Sequence, residues 1–257
     1  MKVEILGCSG GMGANQHTTC IRIDKHTLID AGTGLGCLTQ LELAQIQRIF
    51  LTHAHLDHIC FLPLLIDNLF DKLKRPIEVH ALPEVIEALK LHMFNWSIWP
   101  DFTLLPDKEN PVLRFIPVTH WEPIDTGTHT LTPFPSDHVV PTCGYRVEKK
   151  DCPVFVFTSD TTLSPLVVSN LNRLGPINTL MVECAMPDHM ETLAKLSKHL
   201  TPSMLQTLLS ELDQKPKHIW ISHLKPSYTK QIIEELQHRL PDQDLVVLSC
   251  GQEFNLS

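Results

Sequence analysis

The sequence predicts an α/β layered fold, on three observations. Short β-type runs alternate with helical stretches along the whole chain, the pattern of sheets covered by helices. At 257 residues, with 43% hydrophobic and 19% charged residues, the chain can bury roughly three quarters of its unfolded surface and needs no disulfide to fold. No apolar run reaches the length of about eighteen residues that a membrane-crossing helix requires. No linker, low-complexity segment or solenoid-length repeat divides it, so one domain over residues 1–257 is expected.

Taken in order, residues 2–6 alternate in the manner of a first strand and run into a glycine loop, Gly7-Cys8-Ser9-Gly10-Gly11. They lack the basic, apolar, small-residue order of a signal peptide. Strands are predicted at 20–23, 27–29 and 48–51, then a helix over 56–73 and a strand at 77–80. A helix over 83–94 opens on Pro83, at a first-turn position where the missing N–H costs nothing. Pro100, Pro106 and Pro111 make 99–111 a surface loop. Strands follow at 113–117, 128–132, 144–148, 154–158 and 179–183, with a helix at 163–171. Helices at 190–198 and 202–212, the second opening on Pro202 after Thr201, precede a strand at 218–221. A helix at 229–240 and a strand at 245–248 complete the pattern.

The formal charge of −8 argues against a protein that grips a long nucleic acid through many phosphate contacts. It leaves room for a small anion held by a few local cations. The eight cysteines form no C-x-x-C pair and several sit in apolar runs, which fits reduced core thiols and a cytoplasmic location. Fifteen histidines are more than surface chemistry requires.

One segment concentrates them. In Ile49-Phe50-Leu51-Thr52-His53-Ala54-His55-Leu56-Asp57-His58 an apolar strand runs directly into four ligand-type side chains. His53 and His55, two apart, can point the same way from an extended strand end. Asp57 and His58 lie where the chain turns into a helix and can face a second ion. Imidazole with carboxylate is the ligand set of zinc, manganese or iron. Two ions need further ligands, and polar residues closing other apolar strands supply candidates: His138, Asp160 and His223. Asp30, after Leu28-Ile29, is either a ligand or a partner orienting a ligand histidine.

With these motifs the chain resembles the metallo-β-lactamase superfamily, whose signature is H-x-H-x-D-H followed by a distant His, Asp and His. Within it the chain is most similar to the class II 3',5'-cyclic-nucleotide phosphodiesterases. The likeness rests on His53–His58 running into Leu62-Pro63-Leu64-Leu65, on 94–102, on Lys198-His199-Leu200-Thr201-Pro202 and on Ser222-His223-Leu224-Lys225-Pro226. Where that family's signature has a small residue, this chain has Phe61. The resemblance implies a four-layer αβ/βα sandwich with two divalent ions, zinc first, where the sheets meet. It assigns His53, His55 and His138 to one ion, Asp57, His58 and His223 to the other, and Asp160 to both. His138 is preferred to His120 because Gly144-Tyr145 follows it, as in the family's third motif.

Two such ions can hold a bridging hydroxide at neutral pH. A departing ribose alkoxide then needs a proton. His199 is the candidate acid, with Glu183 orienting it as in related phosphodiesterases, and Asp57 can take the nucleophile's proton. A plain helix-end role is the competing reading of His199. Lys225 either meets a phosphate or is solvated, and Asn95, Trp96 and Trp99 either stack on a base or pack in the core. The expected activity is hydrolysis of cAMP or cGMP to the 5'-monophosphate, with a homodimer common among such enzymes. The alternatives are a tRNA 3'-processing-type nuclease, for which the segment between His138 and Asp160 is too short to hold an RNA-docking arm, or another phosphodiester or thioester hydrolase.

Overall fold

A computed structural model describes residues 1–256. Among the described residues fourteen strands form two seven-stranded sheets. The first contains β1 (Lys2–Gly7), β2 (Cys20–Asp24), β3 (Thr27–Ile29), β4 (Arg48–Phe50), β5 (Ile77–Ala81) and β6 (Leu113–Pro117) in that order, with β14 (Gln252–Asn255) outside β1. The second contains β7 (Ile124–Asp125), β8 (Thr130–Pro135), β9 (Cys143–Glu148), β10 (Phe155–Phe157), β11 (Thr179–Glu183), β12 (His218–Ser222) and β13 (Leu245–Val247). Each sheet is antiparallel over its first four strands and parallel over the rest. The two halves of the chain therefore repeat one topology.

Period-two alternation builds the layers. On β10, Phe155 and Phe157 point into the core shared with the first sheet, while Val156 joins the core beneath the helices. On β11 Met181 faces one way and Leu180 and Val182 the other, and on β12 Trp220 opposes Ile219 and Ile221. Across the inter-sheet space Trp220 lies 4.1 Å from Phe254 and Phe50 meets Tyr145 edge-on at 5.6 Å, while on the inner face of the second sheet Trp220 lies 5.6 Å from Phe155. Helices α5 (Pro165–Arg173), α7 (Pro202–Ser210) and α8 (Thr229–Arg239) cover the second sheet, with their apolar faces in its outer core. Helices α3 (Leu62–Leu69) and α4 (Pro83–His92) contribute buried side chains to the core containing the first sheet. Short α1 (Gln40–Leu43), α2 (Leu56–Ile59) and α6 (Glu191–Ser197) complete the helices. The result is the predicted αβ/βα layering. Trp220→Ala, which removes a large buried side chain from the inter-sheet packing, is expected to cost about 3–5 kcal/mol in chemical denaturation.

Three local expectations need correction. The helix predicted over 56–73 is two, α2 and α3, because the Phe61 amide donates to Ala31 O at 2.9 Å instead of continuing the helical ladder. The strand predicted at 128–132 starts only at Thr130, since Thr126 to His129 close a turn around Gly127 at φ 85°. Strands β7 and β14 and helix α1 lie where none was predicted. Residues 99–111 contain no regular element, and Phe102 anchors them in the core.

Candidate metal centre

The carboxyl ends of β3, β4, β8, β10, β11 and β12 point to one edge of the sandwich, where side chains leaving the last strand residue are free to converge. Asp30 follows β3, His53 and His55 follow β4, His138 follows β8, Asp160 follows β10, Glu183 ends β11 and His223 follows β12. The chain turns sharply there: Asp30, Ser159 and His223 all adopt left-handed backbone, φ 60°, 61° and 61°. Strain of this kind persists only where surrounding contacts over-determine it. Gly10 packs so closely on the His223 backbone that a Cβ would lie 2.3 Å from its carbonyl oxygen.

The side chains gather into two groups that share Asp160. His53, His55, His138 and Asp160 form one, and Asp57, His58, Asp160 and His223 the other, each with its donor atoms within 4.8 Å of one another. His223 Nε2 and His58 Nε2 lie 3.3 and 3.5 Å from the two Asp160 oxygens. His138 Nε2 faces His55 Nδ1 at 3.3 Å.

Contacts on the far side of the rings fix which nitrogen faces inward. Asp30, fully buried, accepts from His58 Nδ1 at 2.7 Å and from Thr52 N at 2.8 Å. The Lys198 carbonyl accepts from His138 Nδ1 at 3.0 Å, and Thr52 Oγ1 lies 3.0 Å from His53 Nδ1. A ring whose Nδ1 is so engaged presents Nε2 as a lone pair. Burial pushes His53, His55, His138 and His223 towards the neutral, ligating form. At His58 burial also opposes charge, but Asp160 and Asp30 outweigh it and raise the pKa. His223, His58 and His53 overcome the burial of Asp160 and keep it ionised.

These residues fit divalent ions. Among the described residues His53 Nε2 and His58 Nε2 are buried and without a hydrogen-bond partner, an arrangement that costs free energy unless something binds there. Two nitrogens on one tetrahedral ion with bonds of about 2.0–2.1 Å would be separated by about 3.3–3.4 Å, and the His55–His138 pair matches. Asp30→Asn should weaken metal binding by about 10–100-fold in chelator competition, because His58 loses the carboxylate that orients it.

Beside the cluster, Glu183 Oε1 accepts from His199 Nδ1 at 2.7 Å, and the same carboxylate accepts from Thr161 N and Leu200 N. The His199 ring lies 5.1 Å from His138 and stacks on His223 at 5.3 Å. Burial works against its charge, and Glu183 more than compensates, so its pKa is raised. Lys225 Nζ donates to Gly10 O at 2.8 Å. The other predicted substrate contacts make local interactions. Asn95 closes the end of α4, donating to Leu91 O and accepting from Ser97 N and Ile98 N. Trp99 packs against the core that contains the first sheet, and Trp96 is 61% exposed. Among the described residues no hydrogen bond or ring contact joins these three to the histidines. Thr52 and the Lys198 carbonyl are site elements that motif reading misses: the first is masked by the ligands beside it, the second acts through backbone.

Residues 26–240 match the beta-lactamase superfamily domain. The chain belongs to that superfamily. A probable 3',5'-cyclic-nucleotide phosphodiesterase of Yersinia pestis is 26% identical, with 92% of this chain and 83% of the relative aligned. Ribonuclease BN of Cronobacter sakazakii is 28% identical over 171 residues, 60% of this chain and 51% of the relative, so the chain matches about half the length of that protein. Among solved structures, unliganded yeast PDE1 superposes with a TM-score of 0.80 at 19% identity over 99% of both chains, which shows the shared superfamily fold. The chain has the metallo-β-lactamase fold, with a His/Asp cluster suited to divalent metal.

Proposed function

We propose that the chain is a two-metal phosphodiesterase that hydrolyses a 3',5'-cyclic nucleotide to the 5'-monophosphate. The observation that carries this reading is the Glu183–His199 pair, which stands against the ligand rings without belonging to the ligand set. Cleavage of the P–O3' bond expels a ribose alkoxide, a leaving group that departs poorly without a proton. With Nδ1 held by Glu183, His199 keeps Nε2 to deliver that proton. His53, His55 and His138 would hold one ion, Asp57, His58 and His223 the other, with Asp160 shared. When bound, the ions supply Lewis acidity, activating water and neutralising phosphoryl charge. Asp57, with a side chain 30% exposed, is the ligand open enough to take the nucleophile's proton. Lys225, close enough to oppose protonation of His199, adds a cation for the phosphate.

A nuclease acting on long RNA is favoured less. Between His138 and Asp160 the chain is spent on β9, a turn at 149–152 and β10, with no inserted arm for RNA, and the net charge of −8 is repulsive. Zinc is the metal we propose, with manganese and iron sharing its ligands. The test is turnover of cAMP, cGMP, a precursor tRNA and a thioester by the metal-loaded protein. The expected product is 5'-AMP or 5'-GMP; cleavage of the tRNA with no cyclic-nucleotide turnover would replace this reading with the nuclease.

A further inference from the structure

Cys8, just after β1, and Cys250, just before β14, come together beside the backbone that carries His223. Both line one cavity, and the His17 carbonyl that lies 3.7 Å from Cys250 Sγ is the one that accepts from the Cys8 amide. The His17 amide also reaches Cys250 Sγ, at 3.3 Å, and the His17 carbonyl accepts from the Cys8 amide at 3.0 Å. The β1–β14 ladder brings them together: it ends at Ile5 opposite Gln252, and the Gly251 amide donates to Ile5 O at 2.7 Å. A cavity of about 270 Å³, lined by both cysteines with Ser9, Gln16, Leu224 and Ser249, opens on the pair. Cys20, Cys143 and Cys184 are buried, and none of them lines this cavity.

The backbone around this pair holds a proposed ligand. Cys8 O accepts from the His223 amide at 2.6 Å, and the next turn repeats the attachment through Gly10 N to Leu224 O at 3.0 Å. On the other side, Leu248 N donates to Ile221 O at 2.9 Å, one strand residue before the turn that carries His223. His223 itself is in left-handed backbone, which only such attachments maintain.

We propose that Cys8 and Cys250 form a reversible disulfide site for hydroperoxide-class oxidants, and that closing the bond displaces His223. A disulfide is about 2.05 Å long, far inside the contact distance of two free sulfurs, so forming it draws both backbones together. Cys250 is the sulfur attacked by peroxide: the neighbouring Cys8 thiol and the His17 amide, which donates to its sulfur at 3.3 Å, favour its thiolate. The thiolate takes one peroxide oxygen to become a sulfenic acid, and hydroxide leaves. Cys8 sulfur then attacks the sulfenic sulfur, the S–O bond breaks and water departs. Two thiols lose two electrons and two protons, and hydrogen peroxide becomes two waters. A thiol reductant reverses the reaction.

The consequence for turnover rests on the phosphodiesterase reading; formation of the bond and movement of His223 do not. The test treats the full-length protein with hydrogen peroxide, alkylates the remaining thiols and maps the peptides by mass. A linked Cys8–Cys250 peptide, lighter by two hydrogens and released by dithiothreitol, is expected. In the same sample the imidazole proton resonance of His223, assigned by its loss in His223→Ala, should shift on oxidation and return on reduction. Turnover of the cyclic nucleotide should fall by roughly tenfold, as when a ligand's supporting contact is lost. Cys250→Ser should show none of these responses, with Cys250→Ala as the second variant. Cys8 remaining alkylatable while Cys250 goes on to sulfinic acid would overturn the proposal. A disulfide that leaves the His223 resonance in place would overturn the coupling. If untreated protein turns over no cyclic nucleotide, the phosphodiesterase reading fails, and the linked peptide and the resonance still decide this one.

Discussion

Asp160→Ala should abolish phosphodiester turnover and strip the centre of metal. Its carboxylate is the one group common to both ligand sets, with an oxygen 3.3 Å from His223 Nε2 and another 3.5 Å from His58 Nε2. Loss of a contact that merely orients a metal ligand already costs about 10–100-fold in affinity or activity. Removal of a shared ligand should exceed that, at more than ~10²-fold in kcat/KM, with metal content falling for both positions. Asp160→Asn keeps the shape and removes the charge, so folding can be checked by circular dichroism in a variant that is still expected to be inactive. Unchanged turnover in either variant would contradict the two-ion arrangement.

His199→Ala should divide substrates by their leaving group. An alkoxide such as the 3'-oxygen of a cyclic nucleotide needs a proton as the bond breaks, and a positioned acid contributes about 10²–10⁴-fold. Nitrophenolate leaves without help, so bis(p-nitrophenyl) phosphate should lose less than about tenfold. Glu183→Gln should show the same division in weaker form, because the carboxylate acts through the His199 ring at 2.7 Å. Equal losses on both substrates would assign His199 a packing role against His138 and His223 instead.

The ligand cluster was legible because its chemistry is concentrated. Four ligand-type residues in the six from His53 to His58, directly after an apolar strand, have no ordinary structural use. Asp160 and His223 were legible through position, each the first polar departure from a strongly apolar strand. Asp30 stood out for the same reason, and its 2.7 Å contact with His58 makes it an orienting group. What was hidden depends on distant partners or on backbone. The break between α2 and α3 is set by Ala31 O, and the orientation of His138 by the carbonyl of Lys198. Strand β14 lacks a fully buried face, and its partner β1 lies at the other end of the chain. The meeting of Cys8 with Cys250 follows from that same pairing, which no local pattern encodes.

One carboxylate and two sets of three side chains are arranged to hold two ions together. The most direct test is the metal content of the purified full-length protein, by elemental analysis after exchange into metal-free buffer and reloading. About two divalent ions per chain are predicted, from the two ligand groups sharing Asp160, with about one or none in Asp160→Ala. A wild-type protein that binds one ion or none under the same conditions would contradict the account.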